Sequence, residues 1–145
     1  MGQPGAETRS RGELSRVREY LGTWLPTAVY IVLILIMAAR PSPKLPPIRH
    51  IDKYLHAFAY GILAVLSYRS FVRTGARRAA VFTFLLGVAV SMSDEGIQAL
   101  SRMRTADRYD LAADAIGTII GTLVIALSGR LGRKPASPGS PGDAE

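Results

Sequence analysis

The sequence predicts an all-α protein, an integral membrane four-helix bundle. Three observations lead there. Of the 145 residues, 48% are hydrophobic and only 20% charged. The charges are gathered into short intervals between four long uncharged runs. Those intervals alternate in basic content in the way that membrane topology requires.

The first run, Tyr20 to Ala39, has 20 uncharged residues and is long enough to cross a hydrocarbon core as one helix. Arg9, Arg11, Arg16 and Arg18 precede it as the charged region of a cleaved signal would, but the run is long for that purpose and no small-residue cleavage site follows. Tyr20 and Trp24 suit a membrane interface, and Pro26 falls in the early turns, where a missing backbone donor costs least. Tyr54 to Tyr68, Ala79 to Ser93 and Ala115 to Gly129 hold 15 residues each, so a span needs the neighbouring polar residues to enter the membrane with them.

Eleven of the 18 basic residues lie before the first run, between the second and third, and after the fourth, which predicts both termini in the cytoplasm. The expected organisation is a polar, disordered segment over 1–19, a four-span transmembrane domain over 20–129, and a disordered Pro-, Gly- and Ser-rich tail over 130–145. The expected location is a membrane, crossed by all four runs. A net charge of +7 raises the possibility of nucleic acid, but the basic residues flank apolar runs instead of lining one face, so no nucleic-acid partner is expected. Without cysteine there is neither a disulfide framework nor thiolate chemistry.

Six of the 11 acids, Asp52, Asp94, Glu95, Asp107, Asp110 and Asp114, fall at one end of spans two, three and four. At about 100° per residue, Asp52, His56, Tyr60 and Ser67 share a face of span two. Ser91, Glu95, Gln98 and Arg102 share one on span three, and Asp107, Asp110 and Asp114 one on span four. Charged groups cost about 2.5 to 3.5 kcal/mol each at the centre of a span, so these stripes should face one another across an outward-facing pocket. Gly117 and Gly121, in the sequence GTIIG, continue the acidic face of span four as a small-xxx-small pair for close helix approach. A structural reading of the same residues is an ion-pair network with Lys53, Arg102, Arg104 and Arg108 that fastens helix ends. His56 likewise suits helix packing, and Ser91, Ser93 and Ser101 suit helix-facing hydroxyls; no HExxH, Walker or Ser-His-Asp arrangement is present.

DKYLHAFAY, Asp52 to Tyr60, resembles the D-K-x-x-H-x-x-x-Y signature of VanZ-like membrane proteins. EGIQ followed by RTADRYDLAADAIGTIIG resembles their second signature. The resemblance carries Asp52, Lys53, His56, Tyr60, Glu95, Gln98, Arg104, Asp107, Asp110, Gly117 and Gly121. This chain departs from it at Ala57, where Phe is frequent, at Met103, where Pro is, and at Asp114, where Asn is. The resemblance implies a small multi-pass bacterial protein linked to glycopeptide resistance, teicoplanin in particular, or to cell-envelope maintenance, and it implies no reaction.

Two readings of function follow. In the first, a non-enzymatic envelope protein binds a lipid-linked or antibiotic anionic headgroup, with Lys53 and Arg104 holding the anion, Tyr60 and Gln98 donating hydrogen bonds, and the acids orienting the cations. No cofactor or metal is expected in that case. In the second, a membrane enzyme acts on a phospholipid or polyprenyl-phosphate, with Glu95, Asp107, Asp110 and Asp114 around a hard divalent cation and His56 as acid or base. Binding is the expectation placed first. The expected site is therefore Asp52, Lys53, His56, Tyr60, Glu95, Gln98, Arg104, Asp107, Asp110 and Asp114, with the lipid bilayer as surroundings.

Overall fold

The computed structural model describes residues 4–40, 50–100 and 108–131. They form four helices: α1 (Pro4–Ala38), α2 (Ile51–Arg73), α3 (Ala79–Leu100) and α4 (Arg108–Leu131). Four stretches are long and apolar enough to cross a membrane: Glu13–Ala38, Ile51–Arg73, Ala79–Leu100 and Tyr109–Gly129. The three 15-residue runs thus become spans of 21 to 23 residues by drawing polar neighbours into the helix, as their shortfall required. In α1 the helix begins ahead of the first apolar run, at Pro4, a position where proline fits a helix start. Pro26 lies inside α1.

Successive helices run antiparallel, and α2 and α4 are parallel. The turn between α2 and α3 uses Gly75 at a φ of 81°, where a side chain would be strained. Large apolar side chains such as Val32, Phe58, Leu85, Ile116, Ile120 and Leu123 point outward, as a lipid-facing surface requires.

The interior has two different sides. Between α1, α2 and α3 the contact is apolar: Tyr60, Leu63 and Val90 form its centre, with Tyr30, Ile31, Ile34, Leu35 and Leu86 packed around them. At one end of this side, Phe71 meets the edge of Trp24 at 4.9 Å and stacks obliquely on Phe82 at 5.6 Å. There Thr27 and Ser70 share a hydrogen bond of 3.0 Å, and Ser70 also donates to the Thr23 carbonyl at 2.9 Å. Between α2, α3 and α4 the buried residues are instead small or polar: Thr83, Gly87, Ser91, Asp94, Gln98, Asp110, Asp114, Thr118 and Thr122.

The closest approach is between α2 and α4. A Cβ added to Gly117 would collide with the backbone of Ala57, and one added to Gly121 with the backbone of Gly61. The GTIIG pair therefore has a definite partner, the Ala57 and Gly61 face of α2. Gly87 does the same for α3, since a Cβ there would lie 2.7 Å from Thr118 Oγ1. Gly117→Ala should destabilise the detergent-solubilised protein by about 1–3 kcal/mol, through forced separation of two backbones. Gly96→Ala, where nothing lies within 4 Å, should be neutral or slightly stabilising in the same unfolding titration.

Candidate functional site

Because α2 and α4 are parallel and α3 runs against them, the first turns of α2 and α4 and the last turns of α3 meet at one end of the bundle. His56, Asp94 and Asp114 each lie about 8 Å in from that end, by the 1.5 Å rise per residue. Their side chains converge from three helices: one ligand atom from each lies within 4.8 Å of the others, and both aspartates are buried.

Asp114 is the centre. His56 Nδ1 lies 2.9 Å from its Oδ1 and donates to it, while Ser91 Oγ donates to Oδ2. Asp94 accepts from Gln98 Nε2 at 2.8 Å, one turn along α3, and from the Tyr60 hydroxyl at 3.4 Å. Both of these donors are neutral. Thr118 turns its hydroxyl back onto the Asp114 carbonyl at 2.8 Å, which leaves a polar group at this depth satisfied by its own helix. One turn nearer the helix ends, Lys53 Nζ donates to Asp110 Oδ1 at 2.7 Å and lies 3.5 Å from Asp52 Oδ2. Asp52 and Asp110 occupy the first turns of α2 and α4, where the helix dipole favours negative charge.

The structure thus brings Lys53, His56, Tyr60, Gln98, Asp110 and Asp114 together, with Asp52 half-exposed at the rim. Arg104 and Asp107 lie outside the described residues. On α3 the interior direction differs from the one expected. Glu95 is half-buried on the flank, and Asp94 points into the bundle. The reason is the whole buried face of α3, which runs through Thr83, Gly87, Val90, Ser91, Asp94 and Gln98. That face is centred about 60° from Ser91 on the side of Asp94, leaving Glu95 about 100° away. The small residues Thr83 and Gly87 were the available signal, since they continue the stripe into the apolar part of the span.

Ser91 and His56 both bond to Asp114 instead of Ser91 to His56, so the hydroxyl has no base and the trio is not a nucleophile-activating triad. The convergent His and Asp atoms do fit a cation. Ligands about 2.0–2.2 Å from one ion lie about 3–4.4 Å apart, so the trio, already within 4.8 Å, needs to close further around one, with a deprotonated His56 nitrogen turned to the ion. One imidazole with two carboxylates suits Zn²⁺ or Mn²⁺ better than an all-oxygen ion.

Four spanning helices around an intramembrane cluster of ionisable groups define a multi-pass membrane protein with a polar site built inside the bundle. The chain belongs to the VanZ/LLP1 family, which it matches over residues 10–129. It is also 31% identical over 98 residues, 67% of its length, to an uncharacterised protein of Schizosaccharomyces pombe, and it spans 60% of that relative. No solved structure matches the chain.

Lys53 and Asp110 form a largely buried pair, with side chains 23% and 7% exposed. Lys53→Met alone should destabilise by about 3 kcal/mol, because it strands a carboxylate. The double variant with Asp110→Leu should recover most of that loss, and a double-mutant cycle by chemical unfolding measures the coupling.

Proposed function

We propose that this protein is a cation-dependent membrane enzyme that hydrolyses the phosphate headgroup of a membrane lipid at the end of its bundle. The observation that carries the reading is the convergence of His56, Asp94 and Asp114 from three helices. The sequence placed a headgroup-binding protein first, with Lys53 and Arg104 holding the anion; Lys53 is held between Asp110 and Asp52, and Arg104 lies outside the described residues. A cluster of carboxylates repels an anionic headgroup unless a cation lies between them. The geometry therefore favours the metal-dependent alternative over direct binding by Lys53.

A Zn²⁺ or Mn²⁺ ion held by His56, Asp94 and Asp114 would supply Lewis-acid chemistry to a phosphoryl oxygen and an activated water. The protein residues would do the rest. Gln98 and Tyr60 fix the Asp94 carboxylate, and Ser91 fixes that of Asp114, so both keep their orientation. Lys53, committed to Asp110 and Asp52, offsets part of the negative charge that an incoming anion meets at the rim. Hydrolysis then joins the water oxygen to phosphorus and breaks the bridging P–O bond, the leaving oxygen taking up a proton.

We further place the termini in the cytoplasm and the site at the outer face of a bacterial cytoplasmic membrane, from the distribution of Lys and Arg. An envelope lipid with an anionic headgroup would connect this activity to envelope maintenance or to glycopeptide resistance.

Purified protein should carry about one equivalent of Zn²⁺ or Mn²⁺ by elemental analysis, and Asp114→Asn should lose most of it. Phosphate release from polyprenyl diphosphate or phosphatidic acid should stop in EDTA and return with added metal. Ser91→Ala should lower turnover about 10–100-fold while leaving the metal site assembled. A metal-free protein that binds either lipid equally well in EDTA, without turnover, would return the reading to a headgroup-binding protein.

A further inference from the structure

We infer that the crevice between α3 and α4 holds the hydrocarbon chain of a phosphate-bearing lipid whose headgroup reaches the His56, Asp94 and Asp114 cluster. This deepens the function proposed above and rests on it for the headgroup. It adds the part of the ligand that the cluster does not touch, and the direction from which the ligand arrives.

A cavity of about 280 Å³ lies in the crevice, lined by Gly87, Val88, Ser91, Leu111, Ala112 and Ala115. Five of these are apolar or lack a side chain. The sixth, Ser91, donates its hydroxyl to Asp114, so one point of the cavity wall is a residue of the site. Along α4 the lining begins at Leu111, near the rim, and continues one turn inward to Ala115. Along α3 it reaches Gly87, one turn deeper than Ser91 and level with Thr118. The hollow thus runs from near the rim to one turn below Ser91, along the direction in which lipid chains run.

Its surroundings determine its occupant. The crevice separates two membrane spans, and α1 packs against α2 and α3 without touching α4 among the described residues, so α1 does not cover it. An apolar hollow that opens to hydrocarbon is filled by hydrocarbon, because water there would lack hydrogen-bond partners. A second lipid-facing hollow, of about 470 Å³, lies over the α2–α4 seam at Gly61, Gly117 and Ile120. None of the His56, Asp94, Asp114 or Ser91 side chains lines it. Both hollows admit a chain by composition, but only the α3–α4 crevice ends on the cluster.

The test uses the full chain in phosphatidylcholine vesicles containing a trace of phosphatidic acid with a diazirine in one acyl chain. After irradiation, labelled peptides are mapped by mass spectrometry. Labelling should concentrate on residues 87–91 of α3 and 111–115 of α4. Ala112→Phe and Ala115→Leu, which fill the hollow from two positions, should each reduce it severalfold. Ile120→Phe, in the other hollow, should leave it unchanged. Even labelling of all lipid-facing helix surfaces, unmoved by either filling variant, would overturn the inference. Metal content and phosphate release measured on the same preparation, without EDTA, separate it from the reading on which it rests. Crevice labelling that persists while metal content and turnover are absent keeps the crevice and removes the cation site; metal and turnover with even labelling do the reverse.

Discussion

The backbone contact of α2 with α4 at Ala57–Gly117 and Gly61–Gly121 is the constraint on which the site depends. No hydrophobic force draws helices together in lipid, so association relies on close packing and on polar contacts between helices. Here the two coincide along one seam. Ala57 follows His56 directly, and Gly117 lies one turn beyond Asp114, so the register that lets the backbones touch also sets His56 Nδ1 against Asp114 Oδ1. Four residues earlier on α4, and three on α2, the same register joins Lys53 to Asp110. In this chain the small Ala57 and the two glycines fix the distance between the polar groups.

The second requirement is electrostatic. At the depth of the cluster every polar group needs a partner inside the protein, and the partners are graded along the bundle axis. At the rim, Asp52 and Asp110 share the permanent charge of Lys53, and Asp52 is half-exposed to solvent. One turn deeper, Asp94 and Asp114 have neutral donors and one imidazole. Deeper still, among the described residues, Ser67, Thr118 and Thr122 return their hydroxyls to their own helices, and the Thr83 hydroxyl is buried without a hydrogen bond. Among the described residues the middle layer is thus the one that sets two buried carboxylates beside no permanent cation. A buried carboxylate is expensive unless it is paired or coordinates a cation, and this layer is also where the ligand atoms converge.

Much of this was legible in the sequence. Run lengths and basic residues gave four spans, and the acids clustered at their shared end marked where the site would be. His56, Tyr60, Gln98, Asp110 and Asp114 were placed on inward faces by helical spacing, whereas Lys53 entered through the resemblance and as a nearby cation. Two things were not legible. Asp94 and Glu95 are adjacent, and choosing between them needs the tilt of α3 against its neighbours. That tilt is set by contacts such as Gly87 with Thr118, made in the apolar part of the span where polar periodicity gives no guide. The pairing of Lys53 with Asp110 was also hidden, because a list of charges does not say which cation is already committed and which remains available to a ligand.

Asp114 shows why charge, more than shape, distinguishes this chain within the pattern it resembles. An Asn there would still accept from His56 through its carbonyl oxygen, and its amide could donate to the Ser91 oxygen where the carboxylate accepts. The helices would meet in the same register, and the hydrogen bonds on both sides of the residue would be replaced rather than lost. What Asp adds is a full negative charge in the layer that has least to balance it, next to the buried Asp94. An apolar bundle needing only a fastener between α2, α3 and α4 would be served by the amide at lower cost, since a neutral group is cheaper to bury. The carboxylate is explained when something positive completes the site, and His56 alone is one imidazole for two acids. The same residue accepts from Ser91, which lines the α3–α4 crevice. In the function proposed here, charge, cation and ligand access therefore meet at a single position, whose neighbours α2 supplies through the seam and α3 through Ser91.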